Sequence, residues 1–251
     1  MSEFQCYQFR KIDGSLSDEA IEEISDLSSR AEVSSTSALF TYDYGDFPAD
    51  PLKVLMKHFD ALFYTANWGT RRLAFRFPKF SVNQEVLSRF AFEEKINIEG
   101  NCGHLIVDLF FDDDSFSEWF DEGRTLDRVI GVYDDLLAGD YRPLFLSWLQ
   151  AVLVAYGWNP DVTLGPIPPG LNELVERHRM LIDLFEIDLD LIAAAASFSD
   201  PIQQVSNEDL AEAIESMPVA QQAAFLRRMV LGESPAIVTA ELRRHLRSNP
   251  R

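Results

Sequence analysis

The residues with the most capacity for chemistry lie between Asp108 and Glu122. This run holds Asp112, Asp113, Asp114, Glu118, Asp121 and Glu122, interleaved with Phe110, Phe111, Phe116, Trp119 and Phe120. Clustered carboxylates suit Mg2+ or Ca2+. The EF-hand spacing is missing, however, with no glycine at the turn and no closing glutamate at the right position. No metal and no cofactor are therefore expected. A second reading takes the run as a surface for a basic partner, or as a mimic of nucleic-acid phosphates, with the aromatics as buried anchors. A third takes it as the solvated start of a helix, where the N-terminal backbone field favours carboxylates and the aromatics join the core. On the second reading the partner-binding residues are Asp112, Asp113, Asp114, Glu118, Trp119, Phe120, Asp121 and Glu122.

Arg71, Arg72 and Arg76 are the basic counterpart. Arg72 and Arg76 fall on one side of an alternating segment, with Arg71 beside them. A guanidinium fork can clamp a carboxylate or phosphate, which makes these three the anion-binding candidates. The alternative is pairing with acids of the same chain, which are in large surplus. His178 falls four residues after Leu174 and three before Leu181, inside the apolar stripe of a helix. It reads as a buried ligand or proton carrier, or as a core histidine with one hydrogen bond. Cys6 and Cys102 make neither a disulfide framework nor a zinc spacing. No phosphate loop of the GxxxxGK[ST] or GxGxxG type and no GxSxG elbow occurs. The sequence names no catalytic residue.

Charge narrows the field. The 251 residues carry a formal net charge of -19, which disfavours unassisted binding to nucleic acid or anionic membrane. Between 101 and 140 there are eleven acids and two bases, whereas 201–251 holds six of each. The acidity is regional, and the tail is neutral. With no signal-peptide pattern at the N-terminus and no apolar run of about 20 residues, a cytoplasmic location with no membrane contact is expected.

The elements that must position these residues are legible from periodicity and punctuation. Phe4–Ile12 reads as a strand, Ser17 as the cap of a helix through Ile21, Ile24 and Leu27, and Ala38–Tyr44 as a second strand. Asp50 and Pro51 open a helix whose apolar face is Leu52, Leu55, Met56, Phe59, Leu62 and Phe63, ending at Asn67-Trp68-Gly69. Arg71–Phe77 alternates as a strand with one buried face, a short helix follows near Gln84–Phe90, and Lys95–Ile98 with His104–Phe111 forms a hairpin. Ser115 with Glu118 fits a capping box. A helical stripe runs from Leu126 to Leu137, and Pro143 starts a helix that stops at Gly157. Everything past 170 is helical, with a second capping box at Ser206 and Asp209. The expectation is an α+β protein: an N-terminal mixed or antiparallel sheet covered by helices, then an all-helical C-terminal bundle. The expected limits are an α+β domain at 1–158, a Pro/Gly-rich linker at 159–170 and a helical domain at 171–251.

Several longer motifs carry a resemblance. The stretches 28–37 (SSRAEVSSTS), 42–47 (YDYGDF) and 66–78 (ANWGTRRLAFRFP), with Ile167-Pro-Pro-Gly-Leu171 and Ala224-Phe-Leu-Arg-Arg228 in the tail, resemble a family of uncharacterised bacterial proteins. Its members are often encoded beside proteins carrying a SWIM-type zinc finger. The resemblance spans most of the chain and implies an accessory role in a multi-protein system, without assigning a catalytic residue.

The expected function is that of a non-enzymatic interaction protein, an adaptor or accessory subunit. It would hold a basic or zinc-finger-containing protein on its acidic aromatic surface, with no direct nucleic-acid binding. The alternative is an enzyme or small-ligand binder with a site near residues 42–47 and 67–76, Arg71 or Arg72 binding an anion and Asp43 or Asp46 acting as base. A nucleic-acid mimic is the further alternative.

Overall fold

A computed structural model describes residues 3–101, 103–113, 116, 124–157, 165–202 and 207–248. Its sheet is built from β1 (Phe4–Arg10), β2 (Ala31–Val33), β3 (Ser37–Asp43), β4 (Ala61–Ala66), β5 (Thr70–Pro78), β6 (Ile96–Asn101) and β7 (His104–Asp112). The strand order is β2-β3-β1-β4-β5-β7-β6, and every neighbouring pair is antiparallel. The α+β class is as expected, and of the two sheet types expected the antiparallel one is found.

Helices α1 (Asp18–Asp26), α2 (Pro51–His58) and α3 (Gln84–Leu87) are interleaved with the strands. After them come α4 (Thr125–Val129), α5 (Val132–Ala138), α6 (Arg142–Tyr156), α7 (Glu176–Phe185), α8 (Leu189–Ala196), α9 (Asn207–Ser216), α10 (Val219–Val230) and α11 (Pro235–Ser248). Short-range chemistry sets many of these ends. The Ser17 hydroxyl accepts from the Ala20 N–H, and the Asp50 carboxylate accepts from the Leu52 N–H at 3.0 Å with Pro51 opening the turn. Gly139 closes α5 in the left-handed conformation at φ 77°. The two expected capping boxes, at Ser115 and Ser206, fall outside the described residues.

The helix expected from Asp50 to the mid-sixties is corrected. It stops at His58, Phe59 turns extended at φ -122° and ψ 173°, and Ala61–Ala66 is a strand. Phe59, Leu62 and Phe63 continue the helical stripe by spacing alone. In the sheet, Leu62 and Phe63 point to opposite faces, each into a hydrophobic core. A strand buried on both faces has no polar alternation, so its pattern cannot be told from a helix. Asn67-Trp68-Gly69 is therefore the turn between β4 and β5. The stripe 126–137 is likewise two helices, α4 and α5.

β5 also has two covered faces rather than one. Leu73, Phe75 and Phe77 enter the larger core with Val107, Leu109 and Phe111 of β7, closed by α5 to α8; Ala74 enters the smaller core beneath α1 and α2. The helices beyond the Pro/Gly-rich segment share the larger core. The Phe185 ring of α7 lies 4.6 Å from that of Phe111, and Ile237 and Ala240 of α11 belong to the same cluster.

One buried carboxylate ties the central strands together. Asp60, just before β4, accepts from Arg76 Nη2 of β5 at 2.6 Å, from Lys11 Nζ at 3.1 Å and from the Ile12 N–H at 2.9 Å. Burial pushes its carboxyl up, but the Arg76 hydrogen bond, the Lys11 charge and the Ile12 N–H outweigh that and hold it below the usual carboxylate range. Asp60→Asn should cost about 3–5 kcal/mol, because two cations lose their counter-charge in the interior. Because the folded pKa is depressed, this contribution is fully present above the ordinary carboxylate value of about 4 and is lost as pH falls through the lower folded value. Urea titrations should therefore show a constant gap between wild type and variant at neutral pH, narrowing in acid.

Candidate functional site

Antiparallel pairing gathers three loops at one end of the sheet. Tyr44 N–H donates to Glu3 O at 3.0 Å, Asn67 N–H to Phe4 O at 3.0 Å, and Asp113 N–H to Gly69 O at 3.3 Å. The Asn67 side chain returns a bond by accepting from the Phe4 N–H at 3.0 Å. The loops after β3, between β4 and β5, and after β7 thus lie in a row across five adjacent strands. At about 4.8 Å per strand spacing the row is about 19 Å long. It brings together segments 42–47 and 67–69 with the start of the acidic run, residues that the two functional readings of the sequence kept apart.

The row is acidic and aromatic. Asp43, Asp46, Asp50 and Asp112 are exposed, and so are Tyr44 (66%) and Trp68 (40%). Asp112 also accepts from the Thr70 hydroxyl at 2.8 Å, which fixes one of its oxygens at the rim. Tyr44 sits in the left-handed region at φ 62°, followed by Gly45 at φ 132°. A bulky residue there costs about 1–3 kcal/mol of strain, and the ring gains no burial in return.

Beneath the rim a hydrogen-bond network centred on Gln5 holds the first loop in place. The Tyr7 ring stacks between Tyr64 at 4.4 Å and Phe47 at 4.7 Å. Both phenols donate to Gln5 Oε1, Tyr7 at 2.8 Å and Tyr64 at 3.2 Å, while Gln5 Nε2 donates to Gly45 O at 3.0 Å and Asp46 Oδ1 at 3.3 Å. Burial, reinforced by Tyr64, pushes the Tyr7 hydroxyl well above its ordinary value, and burial raises Tyr64 as well. Both remain protonated donors at neutral pH, so they serve as fixed hydrogen-bond donors rather than bases.

The three candidate arginines occupy different places. Arg71 is buried on the larger-core face, donating to Leu184 O at 2.6 Å and to Glu186 at 3.1 Å, with Phe116 4.1 Å from its guanidinium carbon. Arg72 lies on the tyrosine face, and its two-pronged edge is taken by Asp108, with both bonds at 2.7 Å. Arg76 is committed to Asp60 and to Met56 O at 2.7 Å. All three forks meet acceptors of the same chain. Of the expected partner-binding residues, Asp112 and Asp113 stand at the rim. Asp114, Glu118, Trp119, Phe120, Asp121 and Glu122 lie outside the described residues. Phe111 and Phe116 turn into the larger core.

A second polar centre escaped sequence reasoning. Asp135 of α5 accepts from Arg177 and from His178 Nε2 of α7, the latter at 3.0 Å, while Arg142 forks onto Asp140 and reaches Gly170 O and Glu173 O. Burial raises the Asp135 carboxyl, but the bonds from Arg177 and His178 overcome it and hold it low. Ligand atoms of Asp135, Asp140 and His178 lie within 4.8 Å of one another. Two guanidinium groups already neutralise both carboxylates, so the centre is a clamp between α5, α6 and α7. His178 is fully buried, with Nε2 on Asp135 and no described partner for Nδ1, which fits the expected core histidine with one side-chain hydrogen bond.

Two cavities lie away from the rim. One, of about 360 Å3, is lined by Lys79, Phe80, Gln84 and His104; the other, of about 330 Å3, by Gln8, Arg10, Glu32 and Leu126. No helix among the described residues is long and apolar enough to cross a membrane. No protein-family model, curated protein or solved structure matches the chain.

The Arg72–Asp108 pair gives a direct check on this assignment. Arg72→Ala leaves a buried carboxylate unpaired and should cost about 3–5 kcal/mol, while Arg72→Met with Asp108→Leu should recover most of that loss. Urea unfolding of the two variants measures both.

Proposed function

We propose that this chain is a non-enzymatic interaction protein, an adaptor or accessory subunit of a bacterial multi-protein assembly, that holds a basic partner on the rim. The observation that carries the reading is Tyr44: an aromatic ring kept in a strained backbone conformation and exposed to solvent, between Asp43 and Asp46 on the rim that also holds Asp112. Stability alone favours glycine or asparagine there. An exposed Tyr and Trp within a field of carboxylates is the composition of a docking site for a cationic surface: aromatic anchors for affinity, charge for steering and specificity. The net charge of -19 extends the field that attracts such a partner. A basic protein with a zinc finger fits the family resemblance.

The enzyme alternative draws less support. Its anion-binding arginines are filled by internal acceptors, and the phenols beside Asp46 are held protonated.

The test is affinity purification of the tagged chain from its native cell, at low and at high salt. Beside it, a variant carrying Asp46→Lys, Asp112→Lys and Asp113→Lys is purified in the same way. A stoichiometric basic partner should be retained by wild type, released by salt and absent from the variant. Tyr44→Ala or Trp68→Ala should each weaken binding of the purified partner about tenfold or more. Retention of every partner by the charge-reversed variant removes the reading. Displacement of the partner by duplex DNA would identify the rim as a nucleic-acid mimic.

A further inference from the structure

Helix α10 has an outer face that no other element among the described residues covers. Its inner side faces α9 and α11: Phe225 lies beside His245, Arg228 pairs with Glu233 and Glu241, and Gln222 donates to Ile214 O and Met217 O. None of its residues is buried. The opposite stripe is apolar: Val219 (78% exposed), Ala223, Leu226 (63%) and Val230 (85%). The spacing is four, three and four, the seam of a two-helix coiled coil, with Leu226 at a d position and Val230 at an a position. A continuous apolar stripe of this kind on an exposed helix marks a contact surface.

We infer that α10 is the contact between two copies of this chain, paired antiparallel about a two-fold axis. Three features of the seam fit a second copy. First, it is self-complementary in size. Antiparallel pairing that aligns the seam sets Leu226 opposite Ala223 of the second copy and Val219 opposite Val230, so large meets small at the centre. Second, it carries no opposing like charge. Arg227 on one flank then faces Ala220, while Gln222 on the other is tied to Ile214 O and Met217 O and Arg228 is already neutralised within its own chain. Third, α10 lies in the one region of the chain that is neutral, 201–251, with six acids and six bases. Two copies of a chain of charge -19 repel least there. The contact is isologous, as a two-fold dimer requires. A helix of this length presents a seam only about 18 Å long, so the dimer is of the weak class that falls below about 1,200 Å2 of buried surface.

Sedimentation equilibrium of the full chain tests this, from micromolar to about 1 mM protein, at low salt and at about 0.5 M NaCl. The expected result is a reversible monomer–dimer equilibrium that tightens with salt, because the apolar seam is indifferent to screening while the net repulsion is removed. Leu226→Glu should raise the dissociation constant at least tenfold with an unchanged helical circular dichroism spectrum, since the side chain is exposed in the monomer. Ala220→Asp should instead strengthen association by facing Arg227 of the second copy. A chain that stays monomeric across the series overturns the inference. So does a dimer that Leu226→Glu leaves intact, or one that salt weakens. None of these outcomes bears on the acidic rim, whose variants lie in the other half of the chain.

Discussion

The central strands are held by a carboxylate that has nowhere else to go. Asp60 sits under the end of the sheet where β1 finishes, β4 begins and β5 ends, shut off from water. A buried charge of that kind is tolerable only when opposite charges and N–H groups surround it. Arg76, Lys11 and the Ile12 amide supply these from the two flanking strands and their continuation. Satisfying one oxygen pair therefore sets three strands in register. A shift of β5 by one residue would carry Arg76 to the other face and leave Asp60 uncompensated. At the opposite end Gln5 has the same fastening role with neutral bonds, joining β1 and β4 to the first rim loop.

This arrangement divides the labour between the two ends. The Asp60 end absorbs charge, with cations turned inward and paired. The rim end displays charge, with carboxylates turned outward on loops whose backbones are tied down. Arg71, Arg72, Arg76, Arg142 and Arg177 are all consumed by internal acceptors. Cations that would otherwise soften the acidic surface are thus committed to packing. The loops can then carry exposed aromatics without fraying, because the cost of order is met by Gln5, the stacked Tyr7 and the inter-loop backbone bonds.

The sequence makes legible whatever depends on short-range chemistry. Ser17, Asp50 and Gly139 mark helix ends because each satisfies or redirects a backbone group within a few residues of itself. β5 and the β6–β7 hairpin follow from alternation and a glycine-rich turn. What stayed hidden depends on partners far along the chain. Asp108 lies 36 residues from Arg72, and His178 lies 43 from Asp135. β4 was masked because Leu62 and Phe63 are buried on opposite faces, which erases the period that separates strand from helix. For the rim, Tyr42–Asp46 and Asn67–Gly69 are recognisable as loops by their glycines and polar residues. Only the strand order puts them on one edge of the sheet with Asp112. Gln5 carries a signal of its own, because a glutamine inside the apolar run of β1 must find a partner when buried, and Tyr64 supplies one.

The rim and the α10 seam call on opposite physics, and the distribution of charge along the chain keeps them compatible. An acidic surface strong enough to recruit a basic partner also repels every other copy of itself, so self-association is possible only where the charge has been cancelled. The tail meets that condition: its arginines match its acids in number, and Arg228 is paired in place with Glu233 and Glu241. On the proposed pairing, neutrality in 201–251 is what lets an apolar contact form in a chain this acidic. Of the acids in 101–140, Asp112 and Asp113 stand at the rim, whereas Asp108 and Asp135 are buried against Arg72 and Arg177.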